Sequence, residues 1–392
     1  MVVLTIVAVV CIGLPVIAWL VYPAAMWLAA RIIGNPAQAA SESRGGSRAE
    51  SVAVVIATRD DTAVVVARVE DILATRYPHE QLRVVVAVDV TAKHALSDYQ
   101  RALASRATVV PGDSPGGKAS TLNAGVRAAR DADVIVFADA GQTFDENAIP
   151  KLVEFLANRR FGAVTGRYTL SANDDTIMSA YANFEALVRA GQSSLHSVVS
   201  TSGSIYAVRP GVWRPLPAGL ICDDLFTTVS IVRQGYRVGF CSDAVACDPR
   251  VFSRDQQLAR RIRTLTGLVQ FCMMTPSVLV PWRNPIWLHL MLHKILRILT
   301  PALFAVGFVA LLLRATASTP GLFVATLIGI VLMTLAARFA AERFAKLDVV
   351  GFALRLQLVP FIALSNGMRR RWTVWTIPDG QPNPPGTGGG AP

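Results

Sequence analysis

Long apolar stretches without charged residues lie near both ends of the chain. Residues 1–30 contain no charged side chain, and a helix needs about 20 apolar residues to cross the hydrocarbon core of a bilayer. This stretch is therefore predicted to form an N-terminal transmembrane helix. Near the other end, 298–313 and 315–337 are predicted to form two further spans, preceded by an interfacial segment over 281–297 in which apolar residues alternate with basic ones.

The last apolar stretch, 349–368, permits two interpretations. It is apolar enough to span a membrane, but Arg355 interrupts it and the arginine triplet 369–371 follows. A third C-terminal crossing would place the triplet outside, against the positive-inside tendency, whereas an interfacial helix would keep it inside. Residues 378–392 are rich in Pro and Gly, which is typical of a disordered tail.

Basic residues predict the orientation of the middle of the chain. Arg31, Arg44 and Arg48 are the first basic residues after the N-terminal stretch and lie in a predicted linker, 31–50. The positive-inside tendency therefore places the following domain, 51–280, in the cytoplasm of a multi-pass protein of the cell membrane. A cleaved signal peptide is the competing interpretation, but no basic region precedes the apolar stretch, which is also too long.

Within 51–280 the pattern changes to short apolar runs separated by stretches of helical periodicity. The predicted strands are 52–57, 82–88, 107–110 and 134–138, and the predicted helices between them are 61–74, 92–105, 119–130 and 145–157. Such alternation predicts an α/β fold with a mostly parallel sheet and right-handed crossovers.

The composition supports a membrane protein. Hydrophobic residues make up 52% of the 392 residues and charged residues only 17%, too apolar for an ordinary soluble protein. The net charge of +11 could indicate nucleic acid, but much of the basic excess lies beside the apolar stretches, so membrane lipids are the expected partner and nucleic acid is not. The five cysteines form no CxxC pair, so neither a zinc cluster nor a disulfide framework is implied.

Polar residues follow the predicted strands at the edge where ligands of open α/β sheets bind. The rule points to Thr58 and Asp61 after the first strand, Asp89 after the second and Asp139 after the fourth. A glycine-rich loop ending in Lys118 follows the third strand. Carboxylates and a lysine are thus predicted to meet at one edge of the sheet.

The loop 112–119 nearly matches the phosphate-binding pattern GxxxxGK[ST]. Ala119 stands where that pattern needs the hydroxyl that holds magnesium, which disfavours a P-loop nucleotidase. A glycine-rich turn with a lysine before a helix still suits phosphate, and an ordinary exposed turn is the alternative. Asp139 suits a site for Mg²⁺ or Mn²⁺ on a diphosphate, or it simply caps the turn into Gly141.

Further candidate chemistry follows in the second half of the domain. Asp223 and Asp224 open a helical stretch, and adjacent carboxylates raise one another's pKa, which poises one of them as a base. The alternative for Asp223 is an ordinary helix N-cap. Arg260 and Arg263 lie on a predicted helix before the membrane-entering sequence, where they could hold a diphosphate or contact anionic lipid headgroups.

In this order, the elements resemble the family 2 glycosyltransferases of the GT-A fold, which include cellulose, chitin and hyaluronan synthases and many exopolysaccharide enzymes. The resemblance covers about 52–301. The matching segments are 57–61, the strand ending at Asp89, Gly117-Lys118 with 121–125, Asp139, Ser202-Gly203-Ser204 with 205–207, Asp223-Asp224, 233–236, and 260–263 with Gly267. Each segment is weak alone, and the ordered set is specific.

The resemblance implies an inverting hexosyltransferase that moves a sugar from a UDP- or GDP-sugar to a glycan or lipid-linked acceptor, for polysaccharide or cell-envelope synthesis. Its Asp224 would be the catalytic base, and its Asp139 would be the first acid of the DxD motif that binds Mg²⁺ or Mn²⁺. The other implied roles are nucleotide-sugar binding by Thr58, Asp61, Asp89, Lys118 and Asp139, diphosphate binding by Arg260 and Arg263, and acceptor binding by Ser202, Gly203 and Asp223.

The chain departs from the family pattern at two places. Gly141 replaces the second acid of DxD, and in the QxxRW motif Arg260 replaces the glutamine and Thr264 the tryptophan, while Arg263 remains. Because QxxRW accompanies chain-extending synthases, its change argues against the alternative of a processive synthase and translocator. Gly141 motivates the remaining alternative, a catalytically weakened, glycosyltransferase-like membrane scaffold.

Overall fold

The computed structural model describes residues 1–34, 50–171, 176–318 and 345–372. Most of the predicted linker 31–50, nearly all of the predicted span 315–337 and the tail 378–392 lie outside these residues. The helix predicted over 298–313 is present and continues through Arg314 to Ser318. Helical segments also cover the predicted segment 1–30, except for Met1, and the predicted segment 349–368.

One eight-stranded sheet forms the centre of the described domain, in the order β3-β2-β1-β4-β7-β6-β8-β5. The strands are β1 Val52–Thr58, β2 Leu82–Val88, β3 Thr108–Pro111, β4 Val134–Ala138, β5 Thr143–Phe144, β6 Phe161–Leu170, β7 Ile205–Val208 and β8 Arg237–Asp248. Strands β1 to β4 are parallel, as the alternating pattern predicts. However, β7 runs antiparallel to β4 and β6, and β5 antiparallel to β8. The sheet is therefore mixed, which corrects the prediction of a mostly parallel one.

Helices cover both faces of this sheet and continue into the apolar ends of the chain. They are α1 Val2–Val16, α2 Tyr22–Ile33, α3 Thr62–Leu73, α4 Leu96–Leu103, α5 Lys118–Ala128, α6 Ala148–Leu156, α7 Thr176–Leu195, α8 Asp223–Arg233, α9 Arg254–Met274, α10 Trp287–Leu290, α11 Leu296–Ser318 and α12 Ala345–Met368. Short π-helical turns, Ile17–Val21 and Met291–Ile295, join α1 to α2 and α10 to α11.

Two hydrophobic cores lie on opposite faces of the sheet because successive strand residues point to opposite sides. In β1, Ala53 and Val55 belong to the core that packs on α5, α8 and α9. The alternating residues Val54 and Ile56 belong to the core that packs on α3, α4 and α6. Both faces are thus covered, which leaves the carboxyl ends of the parallel strands as the open edge.

The segments Val2–Ile33 and Trp287–Ala315 are long and apolar enough to cross a membrane by length and composition, and only 17% and 22% of their most apolar windows are buried. They also pack against each other. A β-carbon at Gly307 would lie 3.2 Å from the β-carbon of Cys11, so a glycine permits this close approach. The later helix α12 instead packs on α9, where Asn366 donates to the hydroxyl of Thr266 at 3.2 Å.

A buried polar network joins these apolar helices to the α/β domain. The side-chain amide of Gln192 on α7 lies 2.8 Å from both the Tyr22 hydroxyl and Nδ1 of His293. The other ring nitrogen of His293 contacts Glu185 at 3.1 Å, and Arg297 donates to the same carboxylate at 2.6 Å. Because buried polar groups are costly when unpaired, this network fixes where the N-terminal and C-terminal helices sit on the domain.

Replacing Gln192 by Ala is expected to destabilise the protein. Gln192 is fully buried, and its loss leaves Nδ1 of His293 and the backbone N–H of Val199 without the partner that each has in Gln192, at about 1–3 kcal/mol for each unsatisfied group. The apparent melting temperature in detergent should fall by several degrees. Gln100→Ala, at an exposed glutamine on α4, is the matched control. Equal melting temperatures for the two variants would show that the network does not hold the helices in place.

Candidate active site

Lys118 brings together three elements at the open edge of the sheet. Its ammonium donates to Oδ1 of Asp139, which follows β4, at 2.9 Å, and lies 3.8 Å from Oδ2 of Asp223 at the start of α8. A β-carbon at Gly203 would lie 3.2 Å from the same nitrogen. The Lys118 side chain is 18% exposed. The predicted convergence of a lysine with carboxylates at this edge is therefore what the structure shows, and we call Lys118, Asp139 and Asp223 the donor cluster.

Asp89 at the end of β2 builds the loop that positions Lys118. Its carboxylate accepts hydrogen bonds from the backbone N–H and hydroxyl of Thr91, the N–H of Gly117 at 2.6 Å and the hydroxyl of Thr121 at 2.9 Å. Burial opposes ionisation, but these donors outweigh it and lower the pKa of Asp89. Gly117, with φ of 86°, adopts a conformation that favours glycine. Both oxygens of Asp89 are thus engaged by the protein, and its contact with a nucleotide stays a prediction.

Thr58 and Asp61 lie at the end of β1, to one side of the donor cluster. The Thr58 hydroxyl accepts from the N–H of Asp60 at 3.0 Å, and this residue is only 4% exposed. The Asp61 carboxylate is exposed and lies 3.0 Å from Nε2 of His94. Among the described residues no hydrogen bond or ion pair is seen between Asp61 and Lys118. Their predicted roles in nucleotide binding remain predictions.

Gly141 lies against Arg250, an arginine that no sequence motif indicates. A β-carbon at Gly141 would lie 2.6 Å from Cζ of Arg250. The Arg250 guanidinium binds Asp248 with two hydrogen bonds, from Nε at 2.8 Å and from Nη2 at 2.9 Å. Asp248, at the end of β8, is fully buried. Burial alone would raise the pKa of Asp248, but its bonds to Arg250 outweigh burial and lower it.

These residues do not fit the metal site that the DxD resemblance implies. Lys118 occupies one carboxylate oxygen of Asp139, and the Arg250 guanidinium fills the space of a second acid at Gly141. Within the described ranges, no three His, Cys, Asp or Glu side chains are grouped to hold a cation. Divalent cations take several oxygen ligands, whereas here Asp139 lies beside the two cations Lys118 and Arg250, and Asp223 also faces Lys118.

The adjacent residues Asp223 and Asp224 begin α8 and face two different spaces. Successive residues on an α-helix are about 100° apart around its axis, so their side chains diverge. Asp223 is 6% exposed and turns toward Lys118, so it belongs to the donor cluster. Cys222 occupies the N-cap position, so the N-cap interpretation of Asp223 is wrong.

Asp224 lines a cavity of about 320 Å³, whose lining does not include Lys118, Asp139 or Asp223. Its walls include Arg261 on α9, Lys294 in the π-helical turn before α11, and Phe352 on α12. Trp19, from the turn between α1 and α2, also contributes. The cavity is therefore bounded by the α/β domain on one side and by the apolar helices on the other, and we call it the Asp224 cavity.

The arginines of α9 divide between the two spaces. Arg260 lies 4.0 Å from Asp248 and stacks on the Phe252 ring at 4.0 Å, on the side of Arg250. Arg261 lines the Asp224 cavity and donates to the Tyr181 hydroxyl at 2.9 Å. Burial lowers the pKa of Arg263, as does the neighbouring positive charge of Arg260, while Asp139 and Asp223 oppose this. The negative charges of Asp139 and Asp223 in the donor cluster therefore act on Arg263.

The turn at Ser202 and Gly203 precedes β7 and closes the donor cluster on one side. The backbone N–H of Ser202 donates to the Thr165 hydroxyl at 2.8 Å, and the Ser202 carbonyl accepts from Ile205 at 3.0 Å. Gly203 lies beside Lys118. The acceptor roles predicted for Ser202, Gly203 and Asp223 stay predictions, and the structure places Gly203 and Asp223 against the predicted nucleotide-binding lysine.

Asp223 is expected to make stability depend on pH. Burial, together with the charges of Asp224 and Asp139, raises its pKa to about 6 against the opposing effect of Lys118. Because this acid binds its proton more tightly in the folded state than at its ordinary value of 3.8, its contribution to stability is present at low pH and is lost as pH rises to about 6. Asp223→Asn should flatten this part of the profile of unfolding free energy against pH, measured by denaturant titration. Glu80→Gln, at an exposed carboxylate, should leave it unchanged, and an unaltered slope in Asp223→Asn would contradict the assignment.

The mixed sheet, with the donor cluster at its open edge, defines a GT-A-like α/β protein. Comparison with known proteins supports this fold class. The structure is similar to that of the mannosyltransferase PcManGT from Pyrobaculum calidifontis, solved in complex with GDP-Man and Mn²⁺, with a TM-score of 0.66 and 19% sequence identity over 93% of this chain and 99% of that one. No curated protein gives a significant match. The model of the family described as glycosyltransferase like family 2 matches residues 49–268, more than half of the chain. The chain therefore belongs to this family of glycosyltransferases.

Proposed function

We propose that the protein is a membrane-bound, inverting glycosyltransferase that moves a sugar from a nucleotide-diphosphate donor to a hydroxyl of a lipid-linked or glycan acceptor. The reaction would serve polysaccharide or cell-envelope glycan synthesis at the cytoplasmic face of the cell membrane. The observation that carries this proposal is the divergence of Asp223 and Asp224. Adjacent on one helix, Asp223 faces Lys118 in the donor cluster and Asp224 lines the Asp224 cavity, so that a donor and an acceptor would meet at the start of α8.

The donor is assigned to the cluster side. Lys118 follows a glycine-rich loop at the start of a helix, where backbone N–H groups and the helix dipole favour phosphate. Arg260 lies on the side of Arg250, whose guanidinium covers Gly141. PcManGT was solved with GDP-Man, so a GDP-sugar is the first donor to test and a UDP-sugar the second. Mn²⁺ is present in that complex, which supports including Mn²⁺ and Mg²⁺ in the assays.

The chemistry assigns the base to Asp224. As the acceptor hydroxyl oxygen attacks the anomeric carbon from the cavity side, its proton passes to Asp224. The bond from that carbon to the diphosphate oxygen breaks on the opposite side, so the anomeric configuration inverts. The electron pair leaves with the nucleoside diphosphate, whose added charge Lys118 stabilises. Every step uses residues of the chain itself.

The acceptor is assigned to the Asp224 cavity, and the nature of its walls supports a lipid-linked molecule. Apolar residues such as Leu268, Ile298 and Phe352 line it together with the cations Lys294 and Arg261. An apolar chain with a phosphate or diphosphate group satisfies both features, because cationic side chains pair with phosphate. The position of this cavity beside Val2–Ile33 and Trp287–Ala315 would let such a lipid enter from a bilayer.

A donor screen tests the proposal on the full chain purified in detergent with phospholipid. GDP- and UDP-sugars are added with Mn²⁺, Mg²⁺ or chelator, and the apparent melting temperature and the release of nucleoside diphosphate are measured. A ligand that binds the folded state at about 100 times its Kd adds about 2.7 kcal/mol of stability. We expect one donor class to raise the melting temperature and to be consumed when polyprenyl-linked acceptors are added. If every donor leaves both readouts unchanged, the protein is not a glycosyltransferase of this kind.

A further inference from the structure

We propose that Arg250, supported by Arg260, binds the diphosphate of the donor in the place where a second metal-binding acid would otherwise stand. This inference rests on the proposed function and concerns the donor side of that site. It assigns the diphosphate to guanidinium groups held by the end of β8, so that nucleotide binding depends only weakly on a divalent cation. The ligand class is a nucleoside diphosphate or its sugar ester.

The first support is steric. Gly141 lies two residues after Asp139, on the turn that leaves β4, and the guanidinium of Arg250 covers it, with Cζ 2.6 Å from where a β-carbon would be. Any side chain at 141 would displace Arg250 from this position. The glycine and the arginine are therefore one feature, in which a positive charge replaces the negative charge of the missing acid.

The second support is the way Arg250 is held. Nε and Nη2 both donate to Asp248, whose carboxylate is fully buried and also accepts from Gln142 at 3.2 Å and Tyr168 at 3.1 Å. Because Asp248 is enclosed by the protein, it orients the guanidinium without itself facing a ligand. The guanidinium has five N–H donors, and the Nη1 pair, which lies nearest Gly141, remains for an anion beside Asp139.

The third support is a second guanidinium at the same place. Arg260 lies 4.0 Å from Asp248 and 4.0 Å from the centre of the Phe252 ring, and Arg250 lies 5.3 Å from that ring. The aromatic ring and the buried carboxylate thus hold two cations that would repel each other if left alone. Planar guanidinium groups bind phosphate oxygens in pairs of hydrogen bonds, which suits the two phosphates of a diphosphate. Lys118 also contacts Asp139, at 2.9 Å.

Binding of GDP to the full chain, measured by calorimetry with Mn²⁺ and with EDTA, tests the inference without relying on turnover. For the unaltered protein, EDTA should weaken GDP binding by less than about tenfold. Arg250→Ala should weaken binding in EDTA by about 10- to 100-fold, as expected for loss of charge-assisted hydrogen bonds. Arg250→Lys should fall between the two. Arg101→Ala, at an arginine that is 79% exposed, is the matched control and should bind as the unaltered protein does.

Two double variants make the test decisive. Arg250→Ala removes the nearer of the two arginines that pair with the buried Asp248 charge, which can prevent folding, so Asp248→Asn/Arg250→Ala is compared with Asp248→Asn alone. Gly141→Asp/Arg250→Ala restores a second acid and should bind GDP only with Mn²⁺. The inference is overturned if loss of Arg250 leaves GDP affinity in EDTA within twofold, or if EDTA abolishes binding by the unaltered protein. If the folded, unaltered protein binds no nucleoside diphosphate or nucleotide sugar under either condition, the proposed function fails as well.

Discussion

Asp224→Asn is expected to fold and to bind the donor with unchanged affinity, while sugar transfer falls by about 10²- to 10⁴-fold, the range typical of a lost general base. An amide cannot accept the hydroxyl proton, yet it has nearly the same shape as the carboxylate. The backbone contacts of Asp224 are also retained, since its carbonyl accepts from the Thr228 hydroxyl at 2.9 Å. The measurement is initial-rate release of nucleoside diphosphate with a saturating acceptor.

Two other variants separate this result from a general effect of losing an acid. Asp131→Asn, at a carboxylate whose side chain is 73% exposed, should retain full turnover. Asp223→Asn changes the neighbouring acid, which faces Lys118, and should affect donor affinity more than the proton transfer. Turnover by Asp224→Asn within tenfold of the unaltered protein would remove Asp224 from the role of base. If Asp223→Asn alone abolished turnover at saturating donor, the base would be Asp223.

The strands in the first half of the domain can be predicted from the sequence because one local pattern repeats there. Strands predicted at 52–57, 82–88, 107–110 and 134–138 match β1 to β4 to within one residue, since each is a short apolar run bounded by polar residues. The rule for ligand sites of parallel sheets predicts that carboxylates and a lysine meet at one edge. The structure shows that they do.

The strands in the second half of the domain cannot be predicted in the same way. Strand β8 contains Arg237, Ser242 and Asp243, so it does not form an apolar run. Strand β7 is only four residues long, and nothing in its composition indicates that it pairs antiparallel between β4 and β6. The direction in which a strand joins a sheet depends on contacts distant in sequence, and for this reason the local pattern predicts a mostly parallel sheet where the structure has a mixed one.

Two features of the site also depend on such distant contacts. Arg250 reaches Gly141 from the far end of β8, so no spacing rule connects these residues. The glycine on its own indicated a missing ligand and a weakened enzyme, whereas with Arg250 it becomes part of a cationic surface. By contrast, the divergence of Asp223 and Asp224 follows from the helical rotation of about 100° per residue. It could have been predicted once the start of α8 was known.

Lys118→Met is expected to have the second large effect, a loss of donor affinity of about 100-fold or more. Removing one partner of a buried, hydrogen-bonded charge pair typically costs about 2–5 kcal/mol, which corresponds to about 30- to several thousand-fold in affinity. The methionine keeps the length and apolar stem of lysine. GDP binding and the KM for the donor sugar should both report the change, while kcat at saturating donor should fall less.

Loss of Lys118 should also alter the folded protein without donor, and this separates two effects of the same side chain. Lys118 lowers the pKa of Asp223 and pairs with Asp139, so in Lys118→Met the two acids face each other without a cation, and the pKa of Asp223 should rise further above 6. Lys118→Met/Asp223→Asn removes one of these charges and should recover part of the lost stability near neutral pH. Because the ammonium is still missing, the double variant should not recover donor affinity. Recovery of both together would mean that Lys118 serves only to neutralise the acids and does not touch the diphosphate.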